Sequence, residues 1–117
     1  MEFTADHIGS ENNAENVSFG FYSNERMYGV GFCRIHSENR IELMVADQSV
    51  YDLKQAEIIF FENSFELKLP KGTIKNSDGD DYYKINYSNL KKNEYQSYLI
   101  DLKAILEVNR NVDLIHS

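Results

Sequence analysis

Little in this sequence can staple, stiffen or ligate. One cysteine, Cys33, and one proline, Pro70, stand among 117 residues, and tryptophan is absent. A lone thiol closes no internal disulfide, so the fold must rest on packing and suits a reducing compartment. His7, His36 and His116 have no mutual spacing that suggests a zinc site, and one cysteine supplies no thiolate cluster. No stretch approaches the roughly 20 apolar residues that cross a bilayer, and the opening Met1-Glu2-Phe3-Thr4-Ala5-Asp6 has neither the basic region nor the apolar run of a secretory leader. A cytoplasmic protein without a membrane partner is expected. Positive charge is scarce too, with 12 Lys plus Arg against 19 Asp plus Glu and a net charge of −7. No Lys/Arg cluster interleaved with aromatics occurs, so counterion release would add little affinity and direct nucleic-acid binding is not expected. The same surplus would attract a basic protein and speed its association. The plainer reading is that it only keeps the chain soluble.

What is present is core material. A chain that is 42% hydrophobic and 13% aromatic at this length fills one core, which predicts a single domain over residues 1–117. A period of two marks strands over 2–8, 17–22, 27–36, 40–46, 49–53, 55–61, 65–69 and 82–87, with a polar loop over 9–16. Val17, Phe19 and Phe21 share a face, as do Ile41, Leu43 and Val45, and Phe65, Leu67 and Leu69, with Pro70 ending that last ladder. The strand over 27–36 sets Tyr28, Val30, Phe32 and Arg34 against Met27, Gly29, Gly31, Cys33 and Ile35, and its glycines predict a crowded crossing. Gly20 leaves room for close backbone approach or a bulge. Between Asn93 and Glu107, Tyr95, Tyr98, Leu99, Leu102, Ile105 and Leu106 fall at steps of three and four, an amphipathic helix with Asn93 as its N-cap. The tail over 109–117 should fray. The expected class is α+β, predominantly antiparallel: about eight strands in a curved sheet, half-barrel or sandwich, with the C-terminal helix packed on it.

Chemistry is hard to find. Cys33 and His36, three residues apart on a strand, point to opposite faces, and Cys33 reads as a small buried residue. Asn76-Ser77-Asp78-Gly79-Asp80-Asp81 clusters carboxylates around a glycine, but the spacing fails the EF-hand pattern and no closing glutamate follows. A solvated turn, or an acidic patch for a partner, fits better than a metal. No phosphate-binding glycine loop, nucleophile elbow or kinase element occurs. Neither catalysis nor a cofactor is expected. Tyrosine is plentiful, with eight residues, of which Tyr83, Tyr87, Tyr95 and Tyr98 lie on periodic apolar faces and belong to the core or its margin. Tyr51 sits between Asp47 and Asp52, and Tyr28 follows Glu25-Arg26 at a strand entry. Aromatic centres ringed by acids anchor basic protein surfaces. Edge-strand residues kept soluble by charge are the alternative.

The order of these features resembles immunity protein family 10. The resemblance rests on Glu2-Phe3-Thr4-Ala5, Phe19-Gly20-Phe21, the strand from Ile41 to Val45 running into Asp47-Gln48, Ala56-Glu57-Ile58 paired with Phe65-Glu66-Leu67-Lys68-Leu69, and the helix with Leu99, Leu102, Ile105 and Leu106. It covers almost the whole chain. Gly20, Gly29 and Gly31 depart from it, as does Ser49-Val50-Tyr51 in place of a glycine-rich turn. The resemblance implies a bacterial cytoplasmic inhibitor, monomeric until it joins a heterodimer with a polymorphic or contact-dependent toxin. That toxin would be a basic nuclease, with ribonuclease favoured, and its cleft would be blocked without chemistry. The partner surface expected is Glu25, Tyr28, Asp47, Tyr51 and Asp52, with Asp78, Asp80 and Asp81 as a second patch. Two other readings stay open: a module holding an apolar ligand between sheet and helix, lined by Phe60, Phe61, Phe65 and the C-terminal leucines, and an adaptor that dimerises through an exposed strand.

Overall fold

The computed structural model describes residues 1–46, 49–74 and 81–117. Among these the chain runs β1 (Glu2–Thr4), β2 (His7–Asn12), β3 (Asn16–Ser23), β4 (Tyr28–Ile35), β5 (Ile41–Ala46), β6 (Ser49–Asp52), β7 (Ala56–Phe60), β8 (Ser64–Lys68), β9 (Tyr82–Asn86), α1 (Lys92–Leu106) and β10 (Val112–His116). The class is α+β, built from two open sheets of five strands each. One is an antiparallel meander, β2-β3-β4-β5-β6; the other is mixed, in the order β1-β9-β8-β7-β10, with β1 parallel to β9 and β10 parallel to β7.

Among the described residues there are ten strands rather than about eight, for two local reasons. First, the opening segment divides. The Ala5 N–H donates to Asn86 O of the mixed sheet at 2.8 Å, while the next residue, Asp6, donates to Tyr22 O of the meander at 3.1 Å. The chain changes sheets there, and β2 continues through polar residues expected to form a loop. An edge strand needs less apolar material than a central one. The ladder of β2 to β3 runs from His7 opposite Tyr22 to Asn12 opposite Val17, and the Asn13 side chain closes the turn by accepting from the N–H groups of Glu15 and Asn16. Second, the tail expected to fray is paired. β10 lies against β7 from Val112 opposite Ala56 to His116 opposite Phe60, and the Ser117 N–H donates to Tyr95 Oη at 3.2 Å.

The helix is longer at its start than expected. Its N-cap is Lys91, not Asn93, and the Glu94 carboxylate accepts the Lys91 N–H at 3.1 Å. Its buried stripe, Tyr95, Leu99, Leu102, Ile105 and Leu106, includes residues predicted from the spacing. The helix packs against β2, β3 and β4. Tyr98 Oη donates to Ile8 O, and Ser10 Oγ to Asp101 Oδ2 at 2.6 Å, which ties the polar edge strand down.

The alternating faces of both sheets meet in one core. Phe65 of the mixed sheet sits among Phe19, Phe21 and Phe32 of the meander, with ring centroids 6.2, 4.7 and 5.9 Å away. Phe60 packs on Phe65 at 5.9 Å and on Tyr95 at 4.7 Å, and Tyr95 Oη donates to Phe60 O. Phe60 and Phe65, two of the residues expected to line a ligand cavity, are packed against one another and against neighbouring rings. Burial of these side chains supplies the main stabilisation, on the order of 2–3 kcal/mol for each large apolar group. Arg34 is the charged exception on the inner face. It is buried, and its Nη2 donates to Glu107 Oε1 at 3.2 Å, at the carbonyl end of the helix where a cation is favoured.

Candidate functional site

Those of the expected partner residues that are described are spread over several elements. Tyr28 is only 9% exposed and packs edge-on to Phe3 at 5.5 Å, so it belongs to the core rather than to an anchor. The reason is its alternation with Val30 and Phe32 on the inner face of β4. Tyr51 stands opposite Leu43, is half-buried and packs against the core. Glu25 is exposed on the turn between β3 and β4, whereas Asp52 lies on β6, with its Oδ1 3.5 Å from Arg40 Nε. Asp81 serves the loop before β9, accepting from the N–H groups of Gly72 at 2.8 Å and Ile74 at 3.3 Å. Asp47, Asp78 and Asp80 lie outside the described residues.

A different surface stands out, the outer face of the meander. Register places Gly9 opposite Gly20 and Gly20 opposite Gly31, then Gly31 opposite Met44 and Met44 opposite Val50. The next row is Glu11, Ser18, Cys33, Glu42 and Asp52. Strands lie about 4.8 Å apart, so the three glycines bare roughly 10 Å of backbone across the sheet. Two adjoining concavities of about 640 and 670 Å³ open over this row, sharing Gly9, Gly20, Gly31 and Met44. The expected crowded crossing holds at Gly29, where a β-carbon would come within 3.0 Å of the Tyr22 ring and 3.1 Å of Phe21 O, but not at Gly31, where it would meet only ordinary contacts at 3.7 Å and beyond. On Gly9 it would meet nothing within 4 Å. Of the three glycines in this row, Gly20 is the constrained one, since a β-carbon there would come within 3.1 Å of Gly31 Cα and Val30 O.

The groove is polarised. Towards the turn joining β3 and β4 stand Tyr22, 40% exposed, and Met27, 76% exposed, with Met44 and Val50 on the flank at 44% and 52%. Met27 is held at φ 51°, a left-handed conformation that costs a bulky residue about 1–2 kcal/mol. At the other end are Glu11, Glu42 and Asp52, joined by Glu38, with Arg40 the cation among them. Arg40 Nη2 lies 2.9 Å from Glu42 and 3.7 Å from Glu38. Cys33 lines the floor and is half-buried rather than interior. Burial first, and the Glu42 carboxylate second, push its thiol up from the ordinary range. Such a thiol stays protonated near neutrality and is a poor nucleophile.

Period-two alternation did put Gly29, Gly31 and Cys33 on one face. The row escaped because Gly9 read as a loop residue and register is not visible in one strand. Among the described residues no group of three or more His, Cys, Asp or Glu side chains is placed to hold a metal ion. Comparison with protein-family models, with curated proteins and with solved structures gave no match.

Proposed function

We propose that this chain is an immunity-type inhibitor, a domain without catalytic chemistry that binds a basic toxin domain in the cytoplasm and covers its substrate cleft or rim. The toxin is a nuclease, with ribonuclease favoured, and the complex is a heterodimer. The observation that carries this reading is the outer face of the meander, a wide groove with an exposed apolar end and an acidic end on a chain of net charge −7. A cleft built to grip phosphates is basic, so an acidic docking face complements it and steers its approach. Desolvated aromatic and thioether contacts then slow release. The resemblance to immunity protein family 10 supports the same reading.

Expression of a toxin domain encoded beside this chain, alone and together with it, tests the proposal. Growth arrest relieved by co-expression, with the two proteins purifying at equal stoichiometry, is the expected result. Arrest that persists while this chain is soluble and folded contradicts it. Strong thermal stabilisation by a small apolar ligand would redirect the reading to a ligand-binding module.

A further inference from the structure

We infer that the groove on the meander receives an extended basic-apolar segment of a partner protein. Its Lys or Arg residues meet Glu11 or Glu42, which line the acidic end on separate strands, and a neighbouring apolar side chain enters between Tyr22, Met27 and Met44. The inference rests on the reading of this face as the partner surface, and names what lies in it.

Strand interiors disfavour glycine, by about 0.5–1 kcal/mol relative to alanine, because its backbone loses most freedom and it packs nothing. Gly9 and Gly31 are interior to β2 and β4. Neither has the positive φ that requires glycine; among the described glycines only Gly72 does. Neither is crowded by its own protein. The fold therefore gains nothing from the missing side chains, whereas an incoming chain gains a floor on which it can approach the backbone.

The two ends of the groove choose the occupant. Glu11 and Glu42 line one end of the groove, and beyond it the single Arg40 is shared among Glu38, Glu42 and Asp52, so the net charge there is negative and a cation is the complement. Lysine and arginine carry apolar stems three to four carbons long, about the reach needed to lie on bare backbone with the head group at the acids. The exposed Tyr22, Met27 and Met44 offer aromatic and thioether surface at the other end, which suits an apolar side chain. A nucleic acid would meet carboxylates, and an uncharged apolar ligand would leave them unused.

Selection of displayed random linear peptides on the folded protein tests this. Enriched sequences should combine Lys or Arg with Leu, Phe or Met. Their binding should fall at least about tenfold with Gly31→Val and with Glu11→Gln/Glu42→Gln, and should be unchanged by Lys84→Gln on the opposite sheet. Circular dichroism and denaturant unfolding must show each variant folded, and Gly9→Val serves if Gly31→Val does not fold. Failure to enrich such sequences, or binding that survives a filled groove, overturns the inference. Self-association of the unaltered chain that Gly31→Val abolishes would place a second copy there and also overturn it. Peptide binding lost on filling the groove, with no toxin neutralised, would retain this site and reject the immunity reading. Neutralisation that survives a filled groove would do the reverse.

Discussion

The two sheets turn different outer faces to solvent. On the mixed sheet several charged and polar side chains are paired across strands, beside an exposed Ile115: Glu2, Lys84 and Glu66 stand in register, Lys68 Nζ lies 3.3 Å from Glu57, Asn86 Nδ2 donates to Glu2, and Tyr82 Oη donates to Glu66. On the meander, the central strands hold glycine, serine and cysteine between the acids Glu11 and Glu42, with thioethers and a tyrosine exposed beside them. Inward, the two are alike, each contributing alternating aromatic and aliphatic residues to one core. The difference teaches that the bare face does not follow from the fold. The mixed sheet carries side chains at these central positions, and the meander departs from that pattern where its own packing leaves room.

The change that should disturb both faces most is Phe65→Ala. Phe65 is fully buried among rings from both sheets, so removing it should cost about 3–5 kcal/mol in denaturant unfolding. Retained stability would mean that the sheets do not share this core. Gly20→Ala separates the constrained glycine from its free neighbours, because its β-carbon would press on backbone atoms at 3.1 Å. A loss of about 1–3 kcal/mol is expected; a neutral result would show that the strands move apart easily. Glu42→Gln should weaken the toxin complex about tenfold at low salt, and less at high salt as screening takes over. Equal loss at all salt concentrations would count against steering. On the mixed sheet, Lys68→Ala breaks an exposed pair and should shift stability by no more than about 0.5 kcal/mol, with no effect on the complex.

Alkaline pH probes the mixed sheet in a different way. The hydrogen bond to Glu66 pushes Tyr82 up to about 12, and burial pushes Tyr87 higher. Both groups are neutral in either state below the ordinary tyrosine range, near pH 10, so their contribution is constant there. Above it the unfolded chain ionises first, and stability falls as pH rises towards the folded values. Unfolding midpoints across this window should decline less steeply in Tyr87→Phe; an identical decline would remove Tyr87 from the account.

Much of the interior was legible. Val17, Phe19 and Phe21, then Ile41, Leu43 and Val45, announce their shared faces by alternation, and the hairpin of β7 and β8 follows from strict period two into Pro70. The helix stripe was readable for the same reason. Alternation also groups Tyr28 with Val30 and Phe32 on the inner face, and the acidic Glu25 three residues before it does not change that side. What could not be read depends on pairing between distant residues. β10 looks like a polar tail until Val112 meets Ala56, and β2 looks like a loop until Tyr98 and Asp101 secure it. The groove belongs to this second kind, since three glycines on three strands make a row only through register.

The central claim is that the fold does not require Gly9 and Gly31 and the partner does. Gly31→Val tests it most directly, by denaturant unfolding and toxin neutralisation on the same preparation. The account predicts an unfolding midpoint equal to or above that of the unaltered chain, together with lost neutralisation. A protein that loses stability by several kcal/mol, or one that stays folded and neutralises undiminished, would contradict it.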